Sequence, residues 1–315
     1  MSSSEPSQHS AAATLCRKPL ILVTGKGGVG KSTCAQALAC AAHSRGASVL
    51  ICEMGSEPSV PHVLGGEPSF VPYQPDVQQW PRLWACWLQF LPALKEYLGE
   101  QLKVKRLVRL ATENRVLARL WEAAPSVAEM AILNTIYGHV HSGRFDVVVL
   151  DLPSTGHALT LLQVPGAVAS MVRVGALAQR AKDVQATIAS AAATSMVVVT
   201  LAEALPVSET IDLSHKLTRL GLPPNLVLAN ELESELFDPA EGGQIEALVG
   251  ELPDGPGRAL LEAGRRRARL QRQQQQQLQT LSQAVDVPIF TLPRVTGTPA
   301  TVVGILSQEL ESRAL

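Results

Sequence analysis

Apolar residues in this chain fall into short β-branched runs separated by longer stretches of helical spacing. The runs are PLILVTG (19–25), SVLICE (48–53), FDVVVLD (145–151), SMVVVTL (195–201), NLVLAN (225–230) and VPIFTL (287–292). Near-continuous apolar runs of this length predict strands buried on both faces of a sheet. Between them, STCAQALACAAHSRG (32–46) follows the first run and PVSETIDLSHKLTRLG (206–221) follows the fourth, each with helical spacing. Strands alternating with helices imply right-handed crossovers, so the pattern predicts a doubly wound, mostly parallel α/β sheet.

Two stretches break this rhythm. Residues 68–140 hold no strand-like run and carry much of the aromatic content, which predicts a helical insertion. Within it, Trp80, Leu83, Trp84, Trp87, Leu88, Leu91, Leu94 and Leu98 recur at steps of three and four, predicting a helix with a broad apolar face that Pro92 kinks or divides. That face could pack on a second helix at 104–124, VKRLVRLATENRVLARLWEAA, or meet an apolar partner. The other stretch, GRRRARLQRQQQQQLQTLSQA (264–284), has no Gly after its first residue and no Pro, and predicts one long polar helix. Its arginines at 265, 266, 267 and 269 read as a solvated face or as an anion contact.

Composition narrows the class. The chain has 315 residues, 46% hydrophobic and 17% charged, with a formal net charge of −1. That length allows a sizeable core, and the balanced charge offers no global attraction to nucleic acid or acidic lipid. The five cysteines show no C-x-x-C pair, so neither a zinc site nor a disulfide framework is expected. The N-terminal stretch lacks the basic start and apolar run of a signal peptide, and no segment reaches the roughly 18 apolar residues that span a bilayer. The expectation is a cytoplasmic protein with a disordered leader at 1–15 and one domain over 16–315, meeting membranes only indirectly.

The chemistry concentrates in GKGGVGKST (25–33). It satisfies G-x-x-x-x-G-K-[ST] directly after a predicted strand and before a predicted helix, the context that a phosphate-binding loop requires. Gly27, Gly28, Val29, Gly30, Lys31, Ser32 and Thr33 would cradle phosphates with backbone N–H groups. Lys31 would neutralise β- and γ-oxygens, and the Ser32 hydroxyl would ligate Mg²⁺. Asp151, at the end of a strand, is the natural carboxylate on the Mg²⁺ side.

Lys26 is surplus to that cradle, and with it the loop resembles the deviant Walker A ATPases. The stretch FDVVVLDLPSTGHALTLLQVP (145–165) is similar to switch II of the arsenite-pump and tail-anchored-protein-targeting branch, with Asp151, Thr155, Gly156 and His157 in matching places. The resemblance implies an ATP-hydrolysing switch whose Lys26 reaches phosphates held by a second subunit, a homodimer or a heterodimer with a paralogue. The bland alternative is a solvent-exposed lysine. It further implies that Glu203, in TLAEALPVSET (200–210), approaches bound nucleotide and that Glu209 and Thr210 begin a helix. Asn230 would read adenine through its amide, unless it is a turn residue, and the loop around Pro293 in TLPRVTG (291–297) would close over the base. A hydrophobic, tail-anchored client is implied at residues 70–120.

The resemblance has two gaps. Where the family carries a water-orienting aspartate after strand two, the segment VLICEMGSEPSVPHVLGG has Gly55. Glu53 and Glu57 flank that position, and either carboxylate could substitute, with Glu57 taken as the catalytic candidate; equally, both could be surface residues. A hydrolysis-deficient ATP-binding scaffold or heterodimer subunit is therefore the competing reading. Metalloid efflux is disfavoured, because Cys86 is the only cysteine in the insertion.

Overall fold

In the computed structural model, residues 18–313 are described, apart from 56, 77, 103–124, 173 and 252. The six predicted runs form strands β1 (Leu20–Gly25), β2 (Val49–Met54), β4 (Val147–Asp151), β5 (Thr194–Leu201), β6 (Leu226–Leu232) and β7 (Ile289–Pro293). With β3 (Leu83–Leu88) they make one parallel sheet in the order β3-β2-β4-β1-β5-β6-β7. Sheet alternation sends successive side chains to opposite layers. Ile21, Val23, Ile51, Val149 and Val199 face a layer made by α1 (Lys31–Ser44), α2 (Val60–Leu64) and α10 (Pro299–Arg313).

Leu20, Leu22, Leu50, Leu150 and Val198 face the opposite layer. Its helices are α3 (Phe90–Leu102), α4 (Pro125–His141), α5 (Thr155–Met171), α6 (Ala176–Ala189) and α7 (Ala204–Arg219). Helices α8 (Pro239–Glu251) and α9 (Pro256–Ala284) pack on one another, with α9 also against α7. The architecture is the doubly wound α/β fold that the alternation predicts. Both faces of every central strand are covered, so truncating a core residue such as Leu150 would cost about 2–5 kcal/mol. The predicted long polar helix is present in full as the second part of α9, anchored by the buried Leu281. No helix among the described residues is long and apolar enough to cross a membrane.

One expectation is corrected. Residues 83–88 are not the start of an apolar helix but an edge strand, pairing in parallel with β2 from Val49↔Leu83 to Met54↔Leu88. Leu83, Ala85, Cys86 and Leu88 are buried there, and an antiparallel bridge from Tyr73 to Ala85 covers the outer edge. Trp84 and Trp87 therefore belong to the central sheet. Pro92 neither kinks nor divides a helix. It lies in the first turn of α3, where backbone N–H groups have no intrahelical partner to lose. The second helix expected at 104–124 and the leader at 1–15 lie outside the described residues.

Candidate functional site

Between β1 and α1 the chain turns through GKGGVG. Gly28 and Gly30 both adopt φ of 84°, a left-handed conformation that costs glycine little. Two of these glycines are needed for contact as well as conformation. A Cβ on Gly25 would lie 2.2 Å from the Val199 carbonyl oxygen, and one on Gly30 would lie 2.4 Å from Asn230 Nδ2. At Gly27 and Gly28 a Cβ would meet nothing within 4 Å, so these residues border open space at the carboxyl end of the sheet. Parallel sheets bind ligands there, where the chain leaves neighbouring strands in opposite directions.

Gly30 ends the loop as the N-cap of α1. The half-buried Lys31 donates from Nζ to the Lys26 carbonyl oxygen at 3.0 Å. Burial holds its pKa below the ordinary lysine value, and the nearby Asp151 works in the opposite direction. Ser32 donates its hydroxyl to Asp151 Oδ2 at 2.5 Å, joining α1 to the end of β4. Among the described residues the other carboxylate oxygen, Oδ1, is buried without a hydrogen-bond partner. Burial pushes the Asp151 carboxyl up to about 6, Ser32 and Lys31 oppose that rise, and the neighbouring Glu53 adds to it. A hydroxyl beside an unpartnered carboxylate oxygen is a hard oxygen pair that fits Mg²⁺.

The remaining predicted residues are distributed around this loop. Lys26 donates from Nζ to Glu209 Oε1 at 2.8 Å, an ion pair with α7 in the same chain. Glu209 lies within α7, whose first residue is Ala204, and Glu203 is the exposed N-cap of that helix. Asn230 is buried and donates from Nδ2 to the Val29 carbonyl oxygen at 3.1 Å, so its amide nitrogen braces the loop from below. Pro293 closes β7 on the same edge of the sheet. Thr33 lies in the first turn of α1. His157 is exposed in the first turn of α5 and interacts electrostatically with Glu129 of α4.

Glu53 and Glu57 part company. Glu53 is not a surface residue; it is 5% exposed, in register with Asp151 on the neighbouring strand. Its carboxylate accepts from the Ser59 and Val60 backbone N–H groups, each at 2.9 Å, and from the Ser59 hydroxyl. It thereby caps α2, and Gln36 of α1 extends the chain by donating to Ser59 Oγ at 2.7 Å. Glu57 is exposed on the loop between them. A signal for this cap was present in Ser59-Val60-Pro61, a helix-start pattern with Pro in the first turn. Trp87, expected on an apolar helix face, lies instead in β3 and donates its indole N–H to the Gly55 carbonyl oxygen at 3.0 Å.

Of the arginines singled out in α9, Arg267 pairs with Glu233 and Arg269 with Glu246. Cys34, Cys40, Cys52 and Cys86 are buried and unbridged. Among the described residues no group of three or more His, Cys, Asp or Glu side chains could hold a metal ion.

Residues 18–177 match the profile of a family described as anion-transporting ATPase. The chain is also similar to the ATPase BagA of Mycobacterium tuberculosis, at 28% identity over 249 residues, 72% of this chain and 71% of that relative. A protein of Halobacterium salinarum named "Putative arsenical pump-driving ATPase" is 25% identical over 290 residues, 87% of this chain and 41% of that relative.

Proposed function

The chain belongs to the anion-transporting ATPase family, and from that premise we propose that it binds ATP with Mg²⁺ at the loop 25–33 and acts as a nucleotide-driven switch. The observation that carries this reading is the Ser32–Asp151 contact with Asp151 Oδ1 left unpartnered beside Lys31. In this reading the loop N–H groups and the α1 dipole hold the β- and γ-phosphates, and Lys31 leaves the Lys26 carbonyl to neutralise them. Ser32 and Asp151 hold Mg²⁺, which when bound offsets charge on the phosphate oxygens. Glu203 and Pro293 border the rest of the nucleotide. Glu57, exposed and uncommitted to a cap, is the carboxylate free to turn toward an attacking water, whereas Glu53 is held by α2.

The switch works between two subunits. Lys26 exchanges its ion pair with Glu209 for phosphates in a partner, so ATP closes a homodimer or a heterodimer with a paralogue. A hydrophobic client, the role implied by the arsenite-pump and tail-anchor-targeting resemblance, would meet α3 and the residues beyond it. Trp84 and Trp87, on the edge strand β3, would flank that surface rather than form a helical groove. A second reading, an ATP-binding scaffold that does not hydrolyse, is favoured by Gly55, which brings no side chain to the position of the usual aspartate.

Phosphate release by purified chain and by Lys31→Ala, with solution mass in the presence and absence of ATP, separates the readings. Release lost in the variant supports an ATPase. Dimerisation by ATP without release supports the scaffold, and a mass unmoved by ATP removes the role of Lys26.

A further inference from the structure

Three residues at the carboxyl end of the sheet share one row. The register sets Glu53 of β2 opposite Asp151 of β4 on one side and opposite Trp87 of β3 on the other. Alternation along the strands sends all three side chains toward the α1 layer, to which Ile51, Ala85 and Val149 also point. Each of the three holds a different segment. Asp151 accepts from Ser32 at the start of α1, Glu53 accepts from the N–H groups that open α2, and Trp87 donates to the Gly55 carbonyl oxygen at 3.0 Å.

Gly55 has little packing of its own. It is exposed, its φ of 148° is open to glycine at small cost, and a Cβ built on it would meet nothing within 4 Å. Glu57 follows two residues later, also exposed. The chain on either side of Glu57 is anchored at Gly55 by the Trp87 indole and at Ser59 by Glu53, which accepts the Ser59 N–H at 2.9 Å. Loss of the first anchor would let Gly55 rotate and carry Glu57 with it.

The indole stands on a fixed base. The Trp87 backbone N–H donates to the Ser69 carbonyl oxygen at 2.8 Å, and the preceding Cys86 donates from Sγ to the Phe70 carbonyl oxygen at 3.0 Å. Tyr73 and Ala85 exchange backbone hydrogen bonds at 2.9 and 2.7 Å. Strand β3 is thus clamped between β2 and residues 69–73. A donor on a ring with two side-chain torsions, carried by a clamped strand, fixes a carbonyl at little cost in conformational entropy.

We propose that Trp87 is a positioning residue for ATP hydrolysis: by holding the Gly55 carbonyl, its indole N–H sets the reach of the Glu57 carboxylate toward the attacking water. This rests on the reading in which Glu57 orients that water.

The test measures single-turnover phosphate release at saturating ATP, ATP affinity and melting temperature for wild type, Trp87→Phe, Glu57→Gln and the double variant. Phe keeps an aromatic ring and drops the N–H. Where that change unfolds the chain, a benzothienyl side chain at position 87, with sulfur in place of the N–H, keeps the shape of the indole. Release should fall about tenfold in Trp87→Phe, the rate factor for losing one hydrogen bond, with ATP affinity and melting temperature near wild type. In the Glu57→Gln background the same change should have no further effect, because a residue that acts through Glu57 has nothing left to position. Release at the wild-type rate in Trp87→Phe, or a loss that adds in full to that of Glu57→Gln, would overturn the inference. ATP affinity falling in step with release would also overturn it, since that marks a general disturbance of the site. Release absent from wild type, or unaffected by Glu57→Gln, would instead overturn the Glu57 reading and the inference with it.

Discussion

Lys26 Nζ lies 2.8 Å from Glu209 Oε1, across 183 residues of sequence and within a single chain. The lysine that the family resemblance sends to a partner is held at home by α7. Its side chain is 31% exposed and that of Glu209 38%, so solvent screens the pair and its contribution to stability is below about 1 kcal/mol. A contact that weak is a releasable restraint rather than a structural tie. Glu209→Gln should therefore leave the melting temperature nearly unchanged while lowering the ATP concentration needed for dimerisation, read by sedimentation velocity. Dimerisation that needs more ATP in the variant would mean that Glu209 orients Lys26 instead of restraining it.

Asp151 gives the site a pH signature. Its carboxyl is pushed up to about 6 from an ordinary 3.8, chiefly by burial. Between those values the folded chain binds the proton more tightly than the unfolded chain, so this residue's stabilising effect is complete near pH 4 and is lost as pH rises through 6. At about 1.4 kcal/mol per pH unit the change is at most about 3 kcal/mol. Denaturant melts of the metal-free protein should show that loss in wild type relative to Asp151→Asn. Mg²⁺, which needs the ionised carboxylate, should bind more weakly below pH 6 and recover above it. Equal pH slopes in the two proteins would contradict the placement of Asp151 in a buried, desolvated position.

Much of this site could be read from sequence because its parts are local. The loop, its strand and its helix occupy consecutive residues, and six strands announced themselves as β-branched runs. Strand β3 did not. Leu83, Trp84, Trp87 and Leu88 satisfy helical steps of three and four, while in an edge strand the same residues pack on β2 and beneath Tyr73. A short apolar run without β-branched residues carries no local preference strong enough to decide, and tertiary pairing decides it. The partners of Lys26, Asn230 and Trp87 were unreadable for a related reason. Each is an ion pair or hydrogen bond between residues 32 to 201 apart, with no pattern at either end.

The loop's tolerance for side chains should differ between its glycines. At Gly25 an added Cβ meets a backbone oxygen of β5 at 2.2 Å, and neither strand can move without breaking the sheet. Gly25→Ala should cost about 3 kcal/mol or more, measured by denaturant unfolding. At Gly30 the obstacle is the end of the Asn230 side chain, 2.4 Å away. Truncating it in Gly30→Ala/Asn230→Ala should recover part of the stability lost in Gly30→Ala, leaving the cost of φ at 84°. No recovery in the double variant would show that backbone strain, not the collision, sets the penalty.

The two glutamates beside Gly55 make opposite predictions. Glu53 spends its carboxylate on the N–H groups that open α2, and removing a buried acceptor leaves those donors unsatisfied. Glu53→Ala should lower stability by about 2 kcal/mol, with ATP binding weakened through the disordered cap. Glu57 is exposed and, among the described residues, caps no helix, so Glu57→Gln should leave stability and ATP affinity intact. If Glu57 orients the water, phosphate release should fall about a hundredfold, the usual scale for losing a general base. Single-turnover release at saturating ATP checks this without interference from product dissociation. Release unchanged in Glu57→Gln removes that residue from the chemistry, and release absent from wild type as well leaves the chain as a nucleotide-binding switch without turnover.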